Sequence, residues 1–322
     1  MQTIQTKTPA KTPLISFIVT TYDLPIGMLR DCLDSIKALS LSKEEREILL
    51  IDDGSKESPI GELTNYLDDI IYLRQPNRGL SAARNKGIQC CCGTYIQFVD
   101  GDDMLNSSAY EHCLDIVRYQ APDIVMFRHT DKRAPLPTQD VEGPMSGSEY
   151  MRHNNLRAVA WGYIFKKDIL LNLRFTEGIL HEDEEFTPLL FLRAERLFTT
   201  EAQAYYYRKR GSSIVNKKDK RWITQRLNDT RDVLFRLQER CDTLPMADRE
   251  ALQRRVNQLT MDYLYNVMTL THSIEHLEKA IVPLHDRGLF PLPDKDYTTK
   301  YSLFRRMVNS QRGRRLLCRL LK

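Results

Sequence analysis

Phe98-Val99-Asp100-Gly101-Asp102-Asp103 is the stretch on which the reading of this chain turns. An apolar run from Tyr95 to Val99 stops at three carboxylates within four positions. A short apolar run bounded by turn residues reads as a buried strand. Carboxylates at its end cannot stay buried without a partner, because an unpaired charge in a low-dielectric interior is very costly. They face water or hold a cation. The Asp-Gly-Asp spacing lets two side chains point the same way across a glycine that permits a tight turn. Clustered carboxylate oxygens suit Mg²⁺ or Mn²⁺, which in turn grip a diphosphate. Taken alone, the tripeptide reads first as a solvated turn, since Asp and Gly are turn residues. Its neighbours along the chain reverse that reading.

Strands and helices alternate through the first half. Leu14 to Thr20, Ile48 to Ile51, Ile70 to Leu73, Tyr95 to Val99 and Ile124 to Phe127 read as strands. Met28 to Leu39, a short piece near Ile60 to Leu67, Leu80 to Cys92 and Ser107 to Tyr119 read as helices between them. Strands spaced by helices imply βαβ units and a largely parallel sheet, whose ligands sit beyond the carboxyl ends of the strands. Polar residues collect there: Thr20-Thr21-Tyr22-Asp23, Asp52-Asp53 and Asp100 to Asp103. The fingerprints GxGxxG after the first strand and GxxxxGK[ST] are both missing, which argues against a dehydrogenase or P-loop enzyme. Arg128 to Gly147 reads as a loop, Leu197 to Tyr207 as a strand pair or a sheet edge, and the chain from Asp219 onward as helical.

These residues together resemble the family 2 glycosyltransferases, whose catalytic domain has the GT-A fold. The resemblance covers about Leu14 to Ile214. It is carried by Phe17-Ile-Val-Thr-Thr-Tyr22, Ile51-Asp-Asp-Gly-Ser55, Asn77-Arg-Gly-Leu-Ser-Ala-Ala-Arg-Asn-Lys-Gly87, Phe98 to Asp103 and Glu182-Asp183. Tyr205-Tyr-Tyr-Arg-Lys-Arg-Gly-Ser-Ser-Ile214 is similar to the segment closing the catalytic domain in bacterial polysaccharide transferases of this family. The resemblance implies an α/β GT-A domain, Rossmann-like, with a mostly parallel sheet flanked by helices. The expected organisation is a flexible start over 1–13, a catalytic domain over 14–216, and a C-terminal helical region with a basic amphipathic tail over 217–322.

The implied activity is that of a metal-dependent, inverting glycosyltransferase of hexosyltransferase type. It moves a sugar from a nucleotide-diphosphate donor to a hydroxyl of a saccharide or lipid-linked saccharide, in bacterial surface polysaccharide synthesis. The departing diphosphate gathers charge that Mg²⁺ or Mn²⁺ offsets, and the acceptor hydroxyl needs a base. By resemblance, Asp102 is the principal metal ligand, with Asp100 on the metal or the donor's ribose. Asp103 supports the turn. Thr20, Tyr22 and Asp53 match nucleotide-binding positions. Tyr22 is otherwise a structural aromatic, and Asp52 caps the turn made with Gly54 and Ser55. Arg84 reaches the donor phosphates or lies on a solvated helix face. Asp183 matches the general base, in a neighbourhood whose mutual repulsion would raise a carboxylate's pKa. The plainer alternative for that neighbourhood is an acidic first turn of a helix. His181 binds metal or phosphate, or is structural. Arg208 and Arg210 are candidates to clamp the diphosphate. The rival readings are a nucleotidyltransferase and an inactive sugar-nucleotide-binding protein.

Composition fits such an enzyme. Net charge is only +4, which argues against a nucleic-acid partner. No secretory signal or run of ~18 apolar residues is visible, so a cytoplasmic location is expected, peripheral at the inner face of the membrane if the tail binds lipid. That tail, from Phe304, holds seven basic residues (Arg305, Arg306, Arg312, Arg314, Arg315, Arg319, Lys322) and no acid. With its leucines it reads as an amphipathic basic helix, suited to an anionic membrane or simply solvated. The seven cysteines show no paired spacing. Cys90 to Cys92 read as small apolar filler at a helix end rather than a metal or redox site.

Overall fold

The computed structural model describes residues 12–132, 138, 140–209 and 219–321. Two compact units interleave along the chain: a sheet unit of residues 1–144, 160–178 and 196–209, and a helical unit of 145–159, 179–195 and 210–322.

The sheet unit begins with β1 (Ile15–Thr21), α1 (Ile26–Lys37), β2 (Arg46–Asp52), two 3-10 turns over 59–66, and β3 (Ile71–Arg74). It continues with α2 (Leu80–Cys90), β4 (Tyr95–Asp100), β5 (Met104–Leu105), α3 (Ser107–Gln120) and β6 (Ile124–Thr130). Three more strands complete it: β7 (Glu142–Met145), β8 (Tyr163–Lys166) and β9 (Leu197–Tyr206). The strand order is β3-β2-β1-β4-β8-β6-β9-β5, with β7 also paired to β9. The first four strands are all parallel. β8 runs antiparallel to both its neighbours, so the far half is mixed. Every residue of β1 is buried, as expected of a strand covered on both faces. On α1, Leu29, Cys32, Leu33 and Ile36 recur at helical spacing and are fully buried.

Two expectations are corrected here. Residues 128–147 are not all loop. β6 runs on to Thr130 through a register shift, and Glu142–Met145 forms a strand although it contains Gly143 and Pro144. Pairing along β9 overrides their poor strand propensity. Leu197 to Tyr206 is neither a strand pair nor an edge, but one ten-residue strand with β6 on one side and β5 and β7 on the other.

The helical unit contains α4 (Gly147–His153), α5 (Asp183–Phe191), α6 (Lys220–Cys241), α7 (Met246–Thr271), α8 (Ile274–Asp286), α9 (Thr299–Val308) and α10 (Gln311–Leu320). The 26-residue α7 is its axis: α4, α6, α8, α9 and α10 all pack on it. Leu252, Val256, Leu259, Tyr263, Leu264 and Val267 form its buried stripe. Hydroxyl and carboxylate caps start the flanking helices: Ser146 for α4, Asp219 for α6, Ser273 for α8, Thr298 for α9 and Ser310 for α10. The basic tail is therefore two helices broken at Asn309 and Ser310. Its Leu317 and Cys318 are buried, while Leu316 and Leu320 are exposed. No described helix is long and apolar enough to cross a membrane. The expectations for residues 1–11, Arg210 to Ile214 and Lys322 fall outside the described residues.

Candidate functional site

Parallel register assembles the polar edge of the sheet unit. Thr20 pairs with Ile51 on one side and Asp100 on the other, so the three motifs end level. The N–H of Asp53 donates to the carbonyl of Thr21, and that of Gly101 to the carbonyl of Thr20. A side chain at Gly101 would stand 2.7 Å from the Thr20 carbonyl oxygen, which is why glycine separates the aspartates. The loops after β1 and β2 are tied as well: Ser55 Oγ accepts from the N–H of Asp23, and Asp23 Oδ1 accepts from the N–H of Lys56. The Tyr22 ring beside them is 47% exposed and open to a stacking partner.

The two aspartates at the end of β2 tie down the segments that follow it. Asp52 Oδ1 accepts from the N–H of Ser55, the turn cap expected from sequence, and Asp52 Oδ2 accepts from the hydroxyl of Tyr72. Asp53 accepts from Gln75 Nε2 at 2.7 Å, from the N–H of Arg78 at 3.0 Å and from that of Gly79 at 2.7 Å. It thereby fixes the loop that starts α2. Arg84, one turn into that helix, is not on a solvated face: it is 3% exposed. Its Nη2 lies 3.0 Å from Asp100 Oδ1, and its guanidinium sits against the rings of Phe98 and Phe175.

The turn after β4 concentrates charge. Asp103 is buried, and its carboxylate accepts from the Tyr205 hydroxyl at 3.0 Å and the Arg208 N–H at 2.8 Å. Burial, then the charges of Asp100 and Asp102, push it up to about 8. The Tyr205 hydroxyl also accepts from the N–H of Asp100 at 3.1 Å, and Trp161 stacks on the Tyr205 ring at 4.4 Å. Arg208 pairs with Asp31 at 2.8 Å. The sequence placed Tyr205 in the segment that closes the catalytic domain but gave neither it nor Trp161 a role at the site. The only signal was the tyrosine run at 205–207. Tyr207, whose ring is also stacked with Trp161 at 6.0 Å, lines a cavity of about 540 Å³ with His129, Gln203 and Lys132.

In the helical unit, Asp183, Glu184 and Glu185 form the first turn of α5, so the acidic-turn reading describes the local structure. The expected mutual repulsion is offset. Glu184 pairs with the buried Arg255 of α7. Glu185 receives both arms of Arg236 from α6, each at 2.7 Å. No sequence signal set these two arginines apart from the many others in α6 and α7. His181 lies just before, in a left-handed conformation (φ 61°). Burial holds its pKa below 6.5, and Arg226 adds to the effect.

Residues 16–157 match the family model for glycosyl transferase family 2. This segment belongs to that family. Among curated relatives, an uncharacterized glycosyltransferase of Bacillus subtilis, EpsJ, is 32% identical over 63% of this chain and 63% of its own length. The glycosyltransferase GlyA of Streptococcus pneumoniae is 29% identical over 65% of this chain and 32% of its own. The match thus spans less than two thirds of these relatives. The crystal structure of S. aureus TarS 1-349 in complex with UDP-GlcNAc superposes with a TM-score of 0.68 at 18% identity, covering 93% of this chain and 89% of that one. The mannosyltransferase PcManGT from Pyrobaculum calidifontis, in complex with GDP-Man and Mn²⁺, gives 0.59 at 11% identity, over 96% and 86%. These two likenesses establish the fold: GT-A, with a helical C-terminal region.

The family raises the question of a divalent cation. Among the described residues no group of three or more His, Cys, Asp or Glu is arranged to hold a metal. The donor set at the β4 turn nonetheless fits Mg²⁺ or Mn²⁺. Asp100 and Asp102 offer hard oxygens, next to the buried Asp103. Mg²⁺ sites ordinarily use one or two carboxylates, with water and substrate phosphates filling the remaining positions.

Proposed function

We propose that this chain is a divalent-metal-dependent, inverting glycosyltransferase that uses a nucleoside diphosphate sugar and acts in bacterial surface polysaccharide synthesis. The observation that carries it is the level ending of β1, β2 and β4, with Thr20, Asp53 and Asp100 at one sheet edge of a family 2 segment. Sheets of this kind bind ligands beyond that edge. The stretch 14–216 is taken as the catalytic part.

Asp102 and Asp100 would hold Mg²⁺ or Mn²⁺, which supplies Lewis-acid stabilisation of the departing diphosphate. Thr20, Tyr22, Asp53, Arg84 and Asp100 hold the donor. Tyr22 offers its exposed ring to the base. Asp53 fixes the loop before α2, and Arg84 orients Asp100 while adding positive charge beneath the phosphates. Asp183 removes the proton of the acceptor hydroxyl as it attacks the anomeric carbon. A single base with no second nucleophile gives one displacement and inversion. The acceptor is a saccharide or a lipid-linked saccharide. In the latter case the exposed Leu316 and Leu320 of α10, flanked by Arg315 and Arg319, offer a peripheral contact to an anionic membrane.

A hydrolysis screen tests this reading. UDP-N-acetylglucosamine, UDP-glucose, UDP-galactose and GDP-mannose are offered with Mn²⁺, with Mg²⁺ and with EDTA. Release of nucleoside diphosphate that requires the cation supports the proposal. Release of pyrophosphate from a nucleoside triphosphate would indicate a nucleotidyltransferase. Binding without turnover, unchanged in the Asp183→Asn variant, would indicate an inactive sugar-nucleotide-binding protein.

A further inference from the structure

Glu184 and Glu185 stand beside Asp183 on successive positions of α5, and successive helical residues point about 100° apart. Each is gripped by a different helix of the same unit. Arg255 of α7 is buried and pairs with Glu184. Arg236 of α6 forks onto Glu185, with Nε on Oε1 and Nη2 on Oε2, both at 2.7 Å. Two anchors on two sides of a helix fix its rotation about its own axis. α5 needs such anchors. It is only nine residues long, its N-cap Glu182 makes no side-chain capping bond, and Pro188 interrupts its own ladder.

We propose that Arg255 and Arg236 are positioning residues, which act through Glu184 and Glu185 to fix the first turn of α5 and so aim the carboxylate of Asp183. This rests on the reading of Asp183 as the base. It gives the C-terminal helices α6 and α7 a task in the chemistry. Bidentate arginine suits that task because it sets direction as well as charge. Further charges face this turn: the buried His181 faces Glu184, Glu182, Asp229 and Arg226. Asp183 and Asp262 face Arg255 together with Glu184, and Lys300 of α9 faces Asp262. Asp229 and Asp232 of α6 face Arg236 along with Glu185.

The test uses the full chain and whichever donor of the screen the wild type turns over fastest. Arg255→Gln, Arg236→Gln and Glu184→Gln are expected to lower kcat between about tenfold and a hundredfold, as misaimed catalytic groups do. The donor KM stays within about twofold, since ground-state donor binding is untouched. Arg255→Lys and Arg236→Lys recover part of the loss. The acid limb of the kcat profile separates positioning from general destabilisation. It moves to higher pH in Arg255→Gln, which removes a cation facing Asp183, and to lower pH in Glu184→Gln, which removes an anion beside it. Should Arg255→Gln fail to fold, Glu184→Gln and Arg236→Lys carry the same readouts. Folded variants with wild-type kcat and an unmoved acid limb would overturn the inference. Asp183→Asn separates the two failures. If it transfers sugar normally, the assignment of the base is wrong. If it is inactive while the arginine and Glu184 variants behave as wild type, only the positioning role is lost. A wild type that turns over none of the donors defeats both.

Discussion

Asp100-Gly101-Asp102-Asp103 in the sheet unit and Glu182-Asp183-Glu184-Glu185 in the helical unit crowd similar numbers of carboxylates into four positions, and the protein treats them differently. At the first, one buried arginine, Arg84, pairs with Asp100, and Asp103 is driven up to about 8 by burial and its neighbours. At the second, Arg255 and Arg236 each take one glutamate. A turn that places several carboxylate oxygens at the carboxyl edge of a sheet is suited to a cation. A turn in which Glu184 and Glu185 are gripped from two helices holds Asp183 beside them in a fixed direction. Acid content therefore says little about a cluster's chemistry until its counter-charges are known.

The strongest way to break this comparison is to neutralise one carboxylate in each cluster. Asp102→Asn should lower metal-dependent transfer on the order of a thousandfold, the scale of several kcal/mol of lost charge stabilisation. Asp183→Asn should lower kcat by about 10²–10⁴ while a calorimetric titration still shows donor binding. If the two variants lose donor binding equally, the division of labour between the clusters is wrong. Arg84→Met asks how much the first turn depends on the buried arginine that pairs with Asp100. It should lower stability by about 3 kcal/mol in urea unfolding, because Asp100 loses its partner. Tyr205→Phe removes the hydroxyl shared by Asp103 and the Asp100 N–H, and should cost about 1–3 kcal/mol in the same measurement. An unchanged midpoint would show that water replaces it.

The smallest effect sharpens the second cluster through pH. His181 has its pKa held below 6.5 in the folded protein, first by burial and then by Arg226. Below about pH 6.5 the unfolded chain takes up a proton that the folded one resists, so stability falls as pH falls. Asparagine tolerates the left-handed backbone at this position. His181→Asn should therefore show a shallower loss of thermal stability between pH 7 and pH 5 than the wild type. Parallel curves would remove His181 as the source.

The parallel half of the sheet was legible because β1, β2 and β4 are buried apolar runs ending at polar turns, and α1 and α7 carry long helical stripes. Strand ends moved by only a residue or two. The Gly143-Pro144 strand was not legible, since its pairing comes from β9, far along the chain. The fate of Arg84 was half legible: its position on α2 was clear, its burial against Phe98 and Phe175 was not. The acidic composition at 181–185 was plain, but its neutralisation was hidden, because Arg236 and Arg255 lie 51 and 71 residues away among many similar arginines.

Local periodicity and turn chemistry were enough to determine the alternation of strands and helices and the sheet edge at which Thr20, Asp53 and Asp100 end, and the motifs along them carried the resemblance to the family that residues 16–157 match. Those signals sit within a few residues of one another, where backbone geometry forces a pattern. Tertiary structure alone decided which carboxylates are paired, which is elevated and which arginines are buried. Charge interactions depend on distance and burial in space, and a linear sequence specifies neither.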